Sequence, residues 1–91
     1  MPNVTYVPHV GKSLIADAPE NNVVVDVKEI KLLSNDGAND ITFNFENGVA
    51  SDNAFVLKAG ERIEEWNIPV RTIYYNAIGG VTAFRFIGTK A

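Results

Sequence analysis

The segment "VVVDVKEIKLL", Val23 to Leu33, decides the fold class, because its apolar residues recur at every second position. A period of two over this length is typical of a half-buried β-strand and not of a helix. The alternation holds through Val23–Val27 and resumes one position out of phase at Ile30. We therefore predict that Lys28–Glu29 absorbs one extra residue as a β-bulge or strand break.

Turn-forming residues separate the later apolar runs. "SNDGAND", Ser34 to Asp40, and the pair Gly79–Gly80 each lie between two alternating runs, so we predict a hairpin at each. Lys58 to Glu61 predicts a further tight turn. About six strands at spacings of roughly 8 to 12 residues indicate a small sandwich or barrel.

The alternation also assigns faces to individual side chains. In "ITFNF" we expect Ile41, Phe43 and Phe45 to face the core and Thr42 and Asn44 to face solvent. In "VTAFRFIG", Val81 to Gly88, the two phenylalanines share one face, while apolar residues also occupy the other. That strand is therefore predicted to be buried on one face and to contact a neighbour on the other.

The predicted fold is all-β: a small antiparallel β-sandwich or barrel of about six to eight short strands with an extended N-terminal arm. We assign residues 1–22 to the arm and residues 23–91 to a single β-sandwich domain. The first 22 residues contain three prolines and little alternation. We expect the arm to order on a neighbouring subunit, and its predicted partner-interface residues are Val4, Tyr6, Val7, Leu14 and Ile15.

Composition excludes several functional classes. A net charge of −3 with scattered basic residues gives no electrostatic reason to bind nucleic acid. No run approaches the ~20 apolar residues that cross a bilayer, and the N-terminus lacks the features of a secretory signal peptide. We therefore expect no membrane association and no secretion by a signal peptide. The chain has no cysteine, so it has no thiolate metal ligand and no disulfide.

The stretch "FVLKAGERIEEW", Phe55 to Trp66, places three glutamates close together and raises the question of catalysis. On a strand, Glu61 and Glu65 share one face and Glu64 lies on the other, so the carboxylates are split. Paired acid–base chemistry needs two carboxyl groups in facing positions with different environments. With His9 as the single histidine, we predict no enzyme, no metal site and no cofactor.

A second hypothesis comes from the aromatic residues. Trp66, Tyr74 and Tyr75 could form a stacking platform for a glycan, as in attachment modules. This hypothesis predicts that the three rings are exposed together. If Trp66 and Tyr74 belong to the core, the platform is lost.

The second half of the chain carries a family resemblance. In "NAFVLKAGERIEEWNIPVRTIYYNAIGGVTAFRFIG", Asn53 to Gly88, an F-x-L-x-A-G-E strand is followed by an Ile73–Tyr74 strand end, the glycine pair and a closing Ile87–Gly88. This pattern resembles small β-domains of tailed-bacteriophage virion proteins.

The resemblance implies a structural role without catalytic residues. The implied function is a capsid decoration or cement protein that binds and stabilises the head shell, and a head-tail connector or tail component is the alternative. The implied partners are capsid or other virion proteins, with a homo-oligomer expected. The implied location is the virion, assembled in the host cytoplasm.

Overall fold

The computed structural model describes residues 9–17, 20–46, 48–50 and 53–91, and the side chain of residue 9 is outside this description. These residues contain strands and no helix, which confirms the all-β prediction. The seven strands are β1 (His9–Ala16), β2 (Asn21–Asn35), β3 (Ile41–Asn44), β4 (Phe55–Leu57), β5 (Arg62–Trp66), β6 (Val70–Asn76) and β7 (Thr82–Lys90).

Strand β2 belongs to both layers of an antiparallel sandwich. Its first half pairs with β6, and its second half pairs with β7 on one side and β5 on the other. The first layer therefore has the order β4-β3-β6-β2, and the second has the order β1-β7-β2-β5. Phe84 of β7 contacts Phe43 of β3 at 5.1 Å and Tyr75 of β6 at 4.8 Å between ring centroids, so the layers meet face to face.

Irregular positions in β2 explain how one strand serves two layers. The pairing with β7 shifts register between Val27 and Glu29, which confirms the bulge predicted at Lys28–Glu29. A second shift follows between Ile30 and Leu32. Asp26 adopts a left-handed φ of 49° beside a shift in the β6 pairing. Since a bulge bends its strand and increases the twist, these positions turn β2 from one layer into the other.

The core is built from the inward faces that the alternation predicts. Phe84 and Phe86 of β7 are buried, while Arg85 between them is exposed. Gly88 continues this inward face, where a side chain would collide with Val27 and with the ring of Phe86.

One side-chain assignment in β3 was wrong. Asn44 was predicted to face solvent, yet it is only 2 % exposed. Its amide donates to Oδ1 of Asn53 at 2.8 Å, and its Oδ1 accepts from the backbone N–H of Glu46 at 2.8 Å. The loop after β3 therefore covers Asn44, and the hydrogen bonds satisfy its polar atoms.

Both predicted hairpins were also wrong. The turn at residues 36–40 joins β2 to β3, and the turn at 77–81 joins β6 to β7, but neither strand pair is hydrogen-bonded together. The turn at residues 58–61 similarly joins β4 of the first layer to β5 of the second, with the Glu61 N–H donating to the Lys58 carbonyl. Each turn reverses the chain as its residues require, and each also carries it across the core.

The described part of the predicted arm lies against the domain. Strand β1 pairs with β7 along its whole length, from His9 opposite Thr89 to Ala16 opposite Thr82. The sparse alternation in residues 1–22 did not predict this strand. The predicted boundary after residue 22 falls inside β2, which begins at Asn21.

Candidate assembly surface

The three turns that cross the core meet at one end of the sandwich, and Asn35 holds them together. Its side-chain amide donates to the carbonyl oxygens of Asn39 at 2.8 Å and Leu57 at 2.9 Å. Its Oδ1 accepts from the Gly37 N–H at 3.1 Å and from the hydroxyl of Thr82, directly after the turn at 77–81, at 3.4 Å. Its backbone bonds Gly60 and Glu61 of the next turn. Asn35 is 1 % exposed, its bonds to Leu57 and Thr82 are buried and those to Asn39 and Gly37 are partly buried, so together they fix the positions of the turns.

The same end carries large aliphatic side chains that face solvent. Ile78 is 82 % exposed and Val81 is 65 % exposed, and both lie in the turn from β6 to β7. Ile15 is opposite Ala83 at the start of β7, and Val56 lies with Ile78 around one recess. We call Ile15, Val56, Ile78 and Val81 the apolar end. A set of exposed aliphatic residues at one end of a small domain is typical of a protein contact surface.

The recess between Val56 and Ile78 has a volume of about 480 Å³. Asn39, Asp40 and Thr42 supply its polar wall. The Asp40 carboxylate accepts the Ala59 N–H at 3.2 Å, which positions it at the rim. The recess can therefore receive an apolar side chain and offer hydrogen bonds to the backbone around it.

The three glutamates of the quoted stretch do not converge. Glu64 forms an ion pair with Arg62 at 2.8 Å, Glu65 with Lys31 at 3.2 Å, and Glu61 accepts the Lys58 N–H at 2.7 Å. Each of the three carboxylates is therefore exposed and is bonded to a different partner. The arrangement offers neither a facing pair of carboxyl groups nor an enclosed site for acid–base chemistry.

The predicted alternation of β5 breaks at Glu65, which has a left-handed φ of 53°. Strict alternation places Ile63 on the predicted face of Glu65 and Trp66 on the predicted face of Glu64, yet both pack against the core. They pair with Leu33 and Ile30 of β2, where the register is also shifted. The irregular positions of β5 and β2 therefore lie beside each other. The face pattern predicted for β5 was wrong.

The outer face of the second layer carries ion pairs. Arg85 lies 2.5 Å from Asp36, and the hydroxyl of Ser34 donates to the same carboxylate at 2.7 Å. The bond from Arg85 is the main reason that the pKa of Asp36 lies below its ordinary value. These exposed pairs give the face a fixed charge pattern and contribute little stability.

A second ion-pair group surrounds Lys31. Its ammonium lies 3.2 Å from Glu65 and 3.3 Å from Glu29, and both bonds raise the pKa of Lys31, with Glu65 the larger cause. The hydroxyl of Thr89 donates to Glu29 at 3.1 Å, and this bond is the main cause of a lowered pKa for Glu29. The carboxylates here are engaged with cations and hydroxyls.

The structure separates the aromatic residues proposed as a glycan platform. Tyr75 is 6 % exposed with its ring against Phe84, and this burial raises the pKa of its phenol. Tyr74 is half-buried and must face the other side of β6, because consecutive residues of a strand alternate. The half-buried Trp66 packs against Phe45 and Phe55 at 5.6 and 5.7 Å. The three rings do not form one surface.

The predicted arm residues fall into two groups. Leu14 is half-buried and packs against the domain's own core, whereas Ile15 is 56 % exposed and belongs to the apolar end. Val4, Tyr6 and Val7 lie outside the described residues.

Sequence reasoning missed most of the apolar end. Val56, Ile78 and Asn35 were not singled out, because each looks like an ordinary strand or turn residue. The available signal was an isoleucine placed directly before a glycine pair, Ile78 before Gly79–Gly80, since turns seldom need a large aliphatic side chain.

In the described part of the chain, no group of three or more histidine, cysteine, aspartate or glutamate side chains is arranged to hold a metal ion. The described residues also contain no helix long and apolar enough to cross a membrane. Comparisons with family models, curated proteins and solved structures gave no match for this chain. The resemblance of Asn53 to Gly88 to phage virion proteins therefore stays a prediction.

Proposed function

We propose that this chain is a non-enzymatic structural protein of a tailed-phage virion, which binds the head shell as a decoration or cement protein and works as a symmetric oligomer. The observation that carries the proposal is the apolar end, a set of exposed aliphatic side chains on and beside the turns that Asn35 links by hydrogen bonds. A pre-ordered contact surface loses little conformational entropy on binding.

The magnitudes favour repeated contacts over a single one. Complete burial of an aliphatic side chain of this size contributes about 1.5 to 3 kcal/mol. The four residues of the apolar end are already partly covered, and association has its own entropic cost of at least about 4 kcal/mol. One copy would therefore bind weakly, and a symmetric lattice that engages several copies together would supply the avidity.

The chemistry of the remaining surface supports a structural role. The carboxylates of Asp36, Glu29, Glu64 and Glu65 are bonded to cations or hydroxyls on the outer face of the second layer. Asp36 and Glu29 are poorly suited to proton transfer, because the bonds that lower their pKa values stabilise their charged forms.

Immunogold labelling tests the proposal directly. An antibody against the purified chain would be applied to particles released from the host that carries the gene. Label distributed over the head supports the decoration role, whereas label confined to the neck or tail supports a head-tail connector or tail component. Particles without label would contradict the virion assignment.

A binding experiment tests the surface. The variant Ile78→Asp/Val81→Asp is expected to lose at least about tenfold in affinity for purified heads, because it places charge on the contact. Val24→Asp is the matched control, since Val24 is 59 % exposed on the first layer near the bend of β2. Equal loss in both variants would show that the apolar end is not the contact surface.

A further inference from the structure

Among the described residues, four strand edges are unpaired, namely those of β1, β4, β5 and the first half of β2, which ends the first layer. An edge strand presents unpaired backbone N–H and C=O groups, which can pair with another extended chain. Proteins usually protect such edges by shortening them, by placing charges on them or by interrupting them with a bulge.

Three of the four edges are protected in these ways. The regular part of the first half of β2 is short, because it ends at Asp26, where φ is positive and the register shifts. Strand β4 has three residues, Phe55–Leu57, which is too short to pair extensively. Strand β5 has five residues, and three of them are charged. Its regular hydrogen bonding is interrupted at Glu65, where φ is positive.

Strand β1 has neither a short length nor an interruption. Its eight residues pair with β7 in one unbroken register. Its outward side chains at Gly11 and Ser13 are small, and nothing lies within 4 Å of the position that a side chain at Gly11 would occupy. A recess of about 240 Å³ lies on the outer face over the paired strands β1 and β7, lined in part by Gly11, Ser13 and Ile87. The small residues at positions 11 and 13 therefore leave room beside them on this face for the side chains of a chain that pairs with β1.

Lys12 determines which chains this edge can accept. It lies on the same side of β1 as the core-packing Leu14 and Ala16, yet it is exposed because β1 is the last strand of its layer. If two copies paired through β1 about a two-fold axis near the middle of the strand, their Lys12 ammonium groups would lie close together. Like charges in neighbouring cross-strand positions are unfavourable, so Lys12 disfavours a second copy.

We propose that the free edge of β1 binds an extended acidic segment of a partner protein by strand addition, with a carboxylate of that segment beside Lys12. The backbone of β1 supplies the hydrogen bonds, and Lys12 supplies the selection for acidic partners. The inference concerns the sheet edge alone, so it can fail or succeed independently of the virion assignment.

Amide hydrogen exchange on the full chain tests whether the edge is free. The N–H groups of residues 9–16 that point toward β7 are expected to exchange slowly, and the alternate ones, which point away, to exchange fast. Light scattering on the same sample establishes whether the chain is a monomer. Slow exchange along both sides of β1 would overturn the proposal, because the edge would already be covered by this chain or by a second copy.

A peptide titration, monitored by the amide chemical shifts in NMR spectra, tests whether Lys12 selects acidic partners. The probe is a short synthetic peptide of alternating valine and threonine with two central glutamates, compared with the same peptide carrying lysines. The acidic peptide is expected to shift the amides of residues 9–16. The variant Lys12→Glu should weaken its binding about tenfold and strengthen binding of the basic peptide.

Lys58→Glu is the matched control, because it makes the same charge change in the exposed turn between β4 and β5. It should change the affinity by less than about twofold, through the net charge alone. Shifts confined to other strands, equal affinity for both peptides, or a Lys12→Glu variant that binds like the control would each overturn the proposal.

Discussion

Replacing Asn35 by leucine should destabilise the domain more than the removal of one hydrogen bond suggests. The change keeps a similar side-chain volume and removes both the amide donors and the acceptor. The carbonyls of Asn39 and Leu57 and the N–H of Gly37 then lose their partner at a position that is 1 % exposed. Each buried polar group left without a partner costs about 1 to 3 kcal/mol.

The expected loss for Asn35→Leu is therefore about 2 to 5 kcal/mol in the free energy of unfolding. A domain of this length has a total stability of about 5 to 14 kcal/mol. Asn35→Asp should be at least as damaging at neutral pH, because a carboxylate oxygen would then face the carbonyls of Asn39 and Leu57.

The assay is urea denaturation followed by the fluorescence of Trp66, whose indole contacts Phe45 and Phe55. Asn67→Leu is the control, since Asn67 is exposed between β5 and β6, and its effect should stay within about 0.5 kcal/mol. A loss below about 1 kcal/mol for Asn35→Leu would refute the reasoning, because other contacts would then hold the three turns.

Three further predictions concern the packing of a glycine, the core and one ion pair. Gly88→Ala should lower the free energy of unfolding by about 1 to 3 kcal/mol in chemical denaturation, because the added carbon would lie 2.7 Å from a methyl group of Val27. Gly11→Ala is its control, because a side chain there meets open space and should change stability by less than about 0.5 kcal/mol. Phe84→Ala should lose about 3 to 5 kcal/mol in thermal or urea unfolding, since its ring joins both layers. The carboxyl of Asp36 should titrate below its ordinary pKa of 3.8 in an NMR experiment, and Arg85→Gln should raise that pKa. Because the folded-state pKa is lowered, the stabilisation is present above the ordinary pKa and is lost as the pH falls through the folded value; an unchanged Asp36 pKa in Arg85→Gln would contradict the assigned cause.

Sequence reasoning predicted the local features of the fold well. The alternation in Val23 to Leu33 identified a strand and placed its bulge at Lys28–Glu29, where the register shift occurs. It also placed Phe84 and Phe86 on the buried face of β7. These features depend on residues that are adjacent in the chain, so a local pattern is enough to find them.

The same reasoning could not predict which strands pair with each other. Glycine and asparagine reverse the chain at residues 36–40 and 77–81, but a reversal is compatible both with a hairpin and with a turn that crosses to the other layer. Which one forms depends on the other strands that compete for each edge. Strand β1 was missed for the same reason. Its alternation is weak, and it is a strand because it pairs with β7.

The sequence by itself determined that this protein is all-β, where most of its strands lie, and that Phe43, Phe84 and Phe86 enter the core, because the period of a strand is a local property. Only the tertiary structure decided that β2 joins two layers, that Asn35 and Asn44 are buried, and that Ile15, Val56, Ile78 and Val81 are exposed at one end. The physical reason is that burial and strand pairing depend on residues distant in the chain, and the candidate assembly surface exists only where those distant turns meet.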